Sequence, residues 1–424
     1  MANLFFRYLP LAVDTGRMAT PETEPRQLAL AKSPALLSRR MLVSMLPLAM
    51  GMLLAGVGTA LLGPILPLLE SRWHMTDSQA GTLLLAKFLA AFVGGITVSA
   101  RLERSLMIGM AAGAVGFGAF ACAGGELTAS VALAVAGFGI GQTIAGTNIL
   151  AGRLFTTHRG AALSALNLAF SLGAILSSGV PIWLTPRFGL QPVLAGLAGL
   201  FIVQWIVLLM RRTSLRSFQS SPAEDQAIRG LPRRAFLYFA TLLLLYGAAE
   251  TGLSAWLTTF ATRFGMVGVA GGAWLTLLLW MSLTAGRGGA SVIMLRLQER
   301  TVQRWSMGLA TVVTLLVAFA PAGWPLTAAV VLLGLLLAPL FPATWALLIA
   351  EGPTAREAGA VLAASGIGAA ALPWLMGVVS SHAGGLRVAL TLPAACTAIM
   401  LAMSLAQRGL NSTPSTFDTN IRGA

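Results

Sequence analysis

The chain has 424 residues, 56% hydrophobic and 10% charged, with a mean hydropathy of +0.80. Soluble domains carry about 25% charged residues, so this composition excludes one and points to an all-α integral membrane protein. The formal net charge of +14 would suggest nucleic acid in a soluble protein. Here the basic residues sit in loops between apolar runs, which excludes that partner and leaves the lipid bilayer.

Residues 1–41 contain Pro, Arg and Glu, with no cleavage site behind a long apolar core, so they read as a cytoplasmic tail and not a signal peptide. A span needs about 20 apolar residues at 1.5 Å rise each. On that rule twelve helices follow, at 42–69, 78–100, 105–124, 128–151, 160–184, 190–210, 235–261, 269–294, 305–321, 325–349, 358–381 and 386–407. The polar, basic stretch 211–234 (RRTSLRS, then SSPAEDQ, then RGLPRR) reads as a cytoplasmic linker between six-helix halves at 42–210 and 235–407. Residues 408–424 form a second tail. The tails and even-numbered loops hold 22 Lys and Arg, whereas the odd-numbered loops hold four, Arg72, Arg187, Arg263 and Arg387. The asymmetry predicts that both termini are cytoplasmic. A weak internal repeat supports the two halves: HRGAALSALN (158–167) resembles EAGAVLAASG (357–366).

Cys122 and Cys396 lie in apolar segments and read as free thiols; no zinc spacing exists, and no metal or cofactor is expected. The glycines of helices 3 and 4 (Gly109, Gly113, Gly116, Gly137, Gly139, Gly141, Gly146) read first as close-packing positions. Pro64, Pro67, Pro181, Pro339, Pro342 and Pro373 predict bends in helices 1, 5, 10 and 11.

Glu250 is the one acidic residue placed deep inside a span, in the apolar run Ala235 to Phe260. A carboxylate near the bilayer centre costs roughly 2.5–3.5 kcal/mol on insertion scales, and it can lower that cost by taking up a proton. Tyr246 lies one turn earlier on the same face, as a hydrogen-bond partner. The alternative is a structural acid neutralised by a neighbouring helix. Lys87 falls about ten residues into helix 2, too deep to snorkel easily. Three readings stand for it: binding an anionic substrate, pairing with Glu250, or lining a watery cavity without a specific role. Arg287 lies nearer the cytoplasmic end of helix 8 and reads as a snorkelling or gate-closing residue. Asn148, Gln142 and Asn167 carry neutral amides that either read hydroxyl groups of a solute or hold helices together. Trp256, Trp280 and Trp374 either stack on a sugar or belong to interfacial belts, with Trp280 and Trp374 nearest mid-span.

Several strings carry a family resemblance: GFGIGQTIAGTN (137–148), LNLAFSLGAILSSGVP (166–181), YGAAETGLSAW (246–256), WMSLTAGR (280–287), GLLLAPLFPAT (334–344) and SGIGAAALPWLMG (365–377). Together with the two-half layout they resemble the major facilitator superfamily, and within it the fucose–galactose–glucose:proton symporter branch. The resemblance implies alternating access by rocking of the halves around a central site. It implies proton coupling through Glu250 with Tyr246, polar substrate positions at Asn148 and Asn167, and a gating motif with Arg101 and Arg104; depth and position add Lys87, Trp280 and Trp374 as candidate substrate contacts and Arg287 as a candidate gate residue. It also implies a monomer in a bacterial cytoplasmic (inner) membrane. The chain departs from the family in two places. Ser99 stands where the helix 2–3 loop motif carries Asp, although Gly95, Arg101 and Arg104 remain. The stretches GTALLGPILP (58–67) and QTIAGTN (142–148) lack the acids of the sugar symporters.

The first expectation is therefore a symporter: a secondary active transporter of a small polar solute, sugar-like by resemblance and proton-coupled through Glu250. The second is an organic-anion transporter or exporter with Lys87 as counter-charge, and the third a transporter-like membrane sensor or assembly factor. An enzyme is not expected, because no cluster of acids, bases or metal ligands occurs within the spans.

Overall fold

The computed structural model describes residues 34–99, 101–155, 159–212, 230–294 and 296–407. By its contacts the chain divides into an N-terminal segment, Met1–Met45, and a body, Leu46–Ala424. The segment's described residues, 34–45, are helical. Residues 1–33 and 408–424 of the expected tails, and 213–229 of the expected linker, lie outside the described residues.

Among the described residues every regular element is a helix. Twelve helices are long and apolar enough to cross a membrane. Spans 1 to 6 are Met45–Trp73, Asp77–Ile96, Leu102–Ala121, Glu126–Leu154, Ala162–Phe188 and Leu190–Met210. Spans 7 to 12 are Arg233–Phe264, Gly268–Ala290, Glu299–Phe319, Trp324–Ala350, Arg356–His382 and Leu386–Ala406. The apolar runs located all twelve, because in a bilayer each run must satisfy its own backbone hydrogen bonds.

Local chemistry sets the ends and bends. Thr76 and Thr354 open spans 2 and 11 with capping boxes, closed by Gln79 and Glu357. Span 1 is two helices, Pro34–Ala60 and Leu62–Trp73. Pro64 has no N–H for the Ala60 carbonyl one turn back, and the helix breaks there. Pro181 acts likewise in span 5, where Val180–Leu184 forms a π-helical turn. Span 10 breaks between Leu337 and Leu340, at Pro339. The expected bends of these three spans are therefore real breaks in the hydrogen-bond ladder, whereas Pro373 sits within the continuous helix Ala355–His382.

Spans 3 and 2 pack on span 4, span 6 on span 3, span 7 on span 11, span 8 on span 10, and span 9 on span 12. The approach of span 4 to span 2 is close: a Cβ at Gly137 would collide with the Lys87 carbonyl. Without a hydrophobic driving force in lipid, such small-residue contacts supply the van der Waals packing between helices. Spans 1–6 meet spans 7–12 where span 2 packs on span 11, span 1 on span 7, and span 5 on span 8.

Candidate functional site

Glu250 lies on the face of span 7 that meets span 8. Its Oε1 accepts a hydrogen bond from Arg287 Nη2 at 2.9 Å, an ion pair. The same nitrogen donates to the Tyr246 hydroxyl at 3.2 Å, and Nη1 donates to Ser171 Oγ of span 5 at 3.3 Å. One guanidinium thus ties spans 5, 7 and 8 together. The pair is not sealed, with side-chain exposures of 28% for Arg287 and 16% for Glu250. Tyr246 is buried, its ring 5.9 Å from that of Phe341. Two buried donors on span 8, Arg287 Nε and Trp280 Nε1, have no acceptor among the described residues.

Arg287 reaches this depth because helical side chains lean towards the N-terminus of their helix. Its Cα lies well towards the even-loop end of span 8, but the long side chain leads the charge back to Glu250. Opposite charges at mid-membrane pair because each alone would be costly.

Lys87 is only 1% exposed. Its Nζ donates to the Thr59 carbonyl of span 1 at 2.7 Å and lies 5.1 Å from the Phe88 ring centroid. No carboxylate of a described residue pairs with it. The cation that the structure brings to Glu250 is Arg287. Lys87 nevertheless stands at a similar depth. Span 1 meets span 7 where Gly63 lies against the backbone of Ser254 and Ala255. Thr59, one turn before Gly63, is therefore within about one helical turn of the level of Glu250.

The remaining expected residues are more scattered. Trp280 is buried, whereas Trp374 is 38% exposed on span 11, its backbone against Gly81. Asn148 is half-buried and Asn167 exposed, and neither makes a side-chain hydrogen bond with another described residue. Gln142 Nε2 donates to Thr97 Oγ1 at 3.1 Å, a tie between spans 4 and 2. Arg101 and Arg104 are exposed at the start of span 3, where Ser99 Oγ accepts from the Arg101 N–H at 3.2 Å.

A second charged cluster sits at the end of the bundle that carries the odd-numbered loops. Arg263 of span 7 donates to both oxygens of Asp77 on span 2, at 2.6 and 2.8 Å, and to Glu70 of span 1 at 2.9 Å. Ser380 Oγ of span 11 donates to Asp77, and the Ser78 N–H donates to Ser381 Oγ at 2.9 Å. A Cβ at Gly377 would strike the Asp77 carbonyl. Spans 1 and 2 are thus held against spans 7 and 11 at this end by a bidentate, charge-assisted clamp.

No local motif announces this clamp. In the sequence Arg263 is one of four cations in the odd-numbered loops, and Asp77 and Glu70 flank the first of those loops. Acids and an arginine in loops so poor in charge were the available signal. Their pairing spans 186 and 193 residues of chain and is a property of the fold. The described residues contain no group of three or more potential metal ligands.

The sequence profile of the Major Facilitator Superfamily matches residues 48–364. Among solved structures, the E. coli fucose:proton symporter FucP is 17% identical with a TM-score of 0.57, over 86% of this chain and 98% of that one. The E. coli xylose transporter XylE in an inward-open conformation is 12% identical with a TM-score of 0.71, over 88% and 97%. The peptide transporter POT in complex with alafosfalin is 13% identical with a TM-score of 0.69, over 86% and 93%. No curated protein sequence matches this chain significantly.

Proposed function

Because this chain belongs to the major facilitator superfamily, we propose that it moves a small polar organic solute across the membrane by alternating access, coupled to protons through Glu250. The halves 42–210 and 235–407 rock about a site at mid-span, with the termini and the 211–234 linker on the cytoplasmic side of a bacterial inner membrane. The observation that carries the reading is the Arg287–Glu250 pair, bridged to Tyr246 on span 7 and Ser171 on span 5. A proton on Glu250 removes the charge that holds Arg287 within the C-terminal half, and so frees the Nη1 bond by which Arg287 reaches Ser171 on the other half. Proton binding and the movement of the halves then bias one element, as coupling requires.

The clamp at the odd-loop end supports the same cycle. It joins spans 1 and 2 to spans 7 and 11, so its opening and closing control access from that side. By likeness to the fucose and xylose transporters the solute is sugar-like in carrying hydroxyl groups. The test is Glu250→Gln in proteoliposomes, with a solute that raises the melting temperature of the purified protein. Uphill uptake should disappear while counterflow exchange persists. Uphill uptake at the wild-type level would remove Glu250 from the coupling step.

A further inference from the structure

The centre of the bundle holds more basic groups, and more hydrogen-bond donors, than its own residues use. At mid-span the described residues supply two basic side chains, Lys87 and Arg287, against one carboxylate, Glu250. An uncompensated charge at that depth is costly. Arg287 Nε and Trp280 Nε1 are buried donors without acceptors among the described residues, and such groups are rare in folded proteins. They lie seven residues, or two turns, apart on one face of span 8. Glu250 grips Arg287 through one oxygen and one nitrogen, Oε1 to Nη2. A guanidinium presents a planar fork that a carboxylate can take with both oxygens. The fork edge made by Nε and Nη2 is thus half used.

We propose that the transported solute is a small organic carboxylate that takes this edge of Arg287 with both oxygens, displacing a Glu250 that has taken up a proton. The proposal rests on the proton-coupled reading above and names its substrate class. The proton passes to the Glu250 carboxylate, the anion replaces it on Arg287, and no covalent bond in the solute forms or breaks. Each cycle moves one proton with one anion. Lys87 adds a second basic side chain at this depth, and Trp280 Nε1 offers a donor for a hydroxyl or carbonyl of the solute.

The groups around Glu250 are few. Tyr246 lies on its own helix and Arg287 on span 8, and Lys87 is held on span 1 at Thr59. Span 7 also packs on spans 10, 11 and 12. Their charged groups stand at span ends: Glu351 after span 10, Arg356, Glu357 and His382 at the ends of span 11, and Arg387 at the start of span 12. Glu70 of span 1 and Arg263 of span 7 belong to the clamp at the odd-loop end.

The experiment is thermal denaturation of the purified full-length protein with three matched pairs of solutes. The pairs are lactate with propane-1,2-diol, gluconate with glucose, and benzoate with benzyl alcohol. At least one carboxylate should stabilise the protein while its neutral partner does not. Across neutral pH its apparent dissociation constant should rise with pH, by up to about tenfold per unit, since one proton is taken up on binding. In Glu250→Gln that dependence should be shallower than in the wild type. The double variant Glu250→Gln/Arg287→Gln replaces the pair by uncharged groups of like size, and should respond to neither member of any pair. Stabilisation by the neutral partner alone overturns carboxylate recognition and leaves proton coupling standing. A response to carboxylates that persists in the double variant, or no response to any carboxylate in wild type and Glu250→Gln, overturns the proposal. Carboxylate binding that is independent of pH in the wild type overturns the exchange on Arg287 together with the coupling reading itself.

Discussion

Asp77→Asn is the sharpest perturbation of the clamp at the odd-loop end. Asp77 accepts two bonds from Arg263, at 2.6 and 2.8 Å, and one from Ser380. Asparagine keeps the size but removes the charge and turns an NH2 group towards the guanidinium. Hydrogen bonds to charged groups contribute roughly 1.5–3 kcal/mol each. The Arg263 side chain is 39% exposed, so solvent screening reduces this to about 1 kcal/mol per bond. One bond is lost and the other loses its charge assistance, which disfavours the closed arrangement by about 1–2 kcal/mol, a shift of about 5- to 30-fold in the ratio of closed to open forms. Adding Glu70→Gln weakens the third bond and enlarges the shift. The assay is the distance between spin labels at Ser71→Cys and Val267→Cys, both exposed, in a background with Cys122→Ser and Cys396→Ala. Asp77→Asn/Glu70→Gln should produce a longer-distance population that the parent lacks. A folded double variant with the parent's distance distribution would refute the clamp as the element that holds this end closed.

Three further outcomes follow from the same geometry. Tyr246→Phe removes one acceptor of Arg287 at 3.2 Å, a loss of about 1 kcal/mol; solute uptake should fall several-fold, far less than in Glu250→Ala. Gly63→Val places a side chain against the Ser254 carbonyl; the odd-loop end should then fail to close in the spin-label assay, at a packing cost of about 1–3 kcal/mol. Lys87→Met removes a fully buried amine whose one described hydrogen bond is to a backbone carbonyl; the melting temperature should rise while solute uptake is lost, as when stability was given up for a functional site.

Much of the fold was legible because the bilayer allows so few solutions. Apolar runs of about 20 residues located all twelve spans, and Pro64, Pro181 and Pro339 marked the breaks in spans 1, 5 and 10. Glu250 and Tyr246 stood out by depth and spacing, and the structure places them in one hydrogen-bonded group. The partner of Glu250 was harder to read. Counting residues put Lys87 near mid-span and Arg287 near the even-loop end, but position along the helix fixes the Cα and not the charge. The guanidinium stands several ångströms nearer the N-terminus of its helix than its Cα does. Lys87 instead turns to the Thr59 carbonyl, a contact no residue pattern announces. Arg263, Asp77 and Glu70 lay in plain view as loop charges, yet their meeting depends on how spans 1, 2, 7 and 11 pack, which one sequence does not encode as a local pattern.

The central claim is that solute movement carries protons through Glu250, and internal pH reports it most directly. Proteoliposomes holding a trapped pH indicator are given, on the outside only, a solute that stabilises the purified protein, with no other ion gradient. The lumen should acidify as the solute enters through the wild-type protein, and Glu250→Gln, which retains only exchange, should show no acidification. Solute entry through the wild-type protein with no change in internal pH would contradict the account.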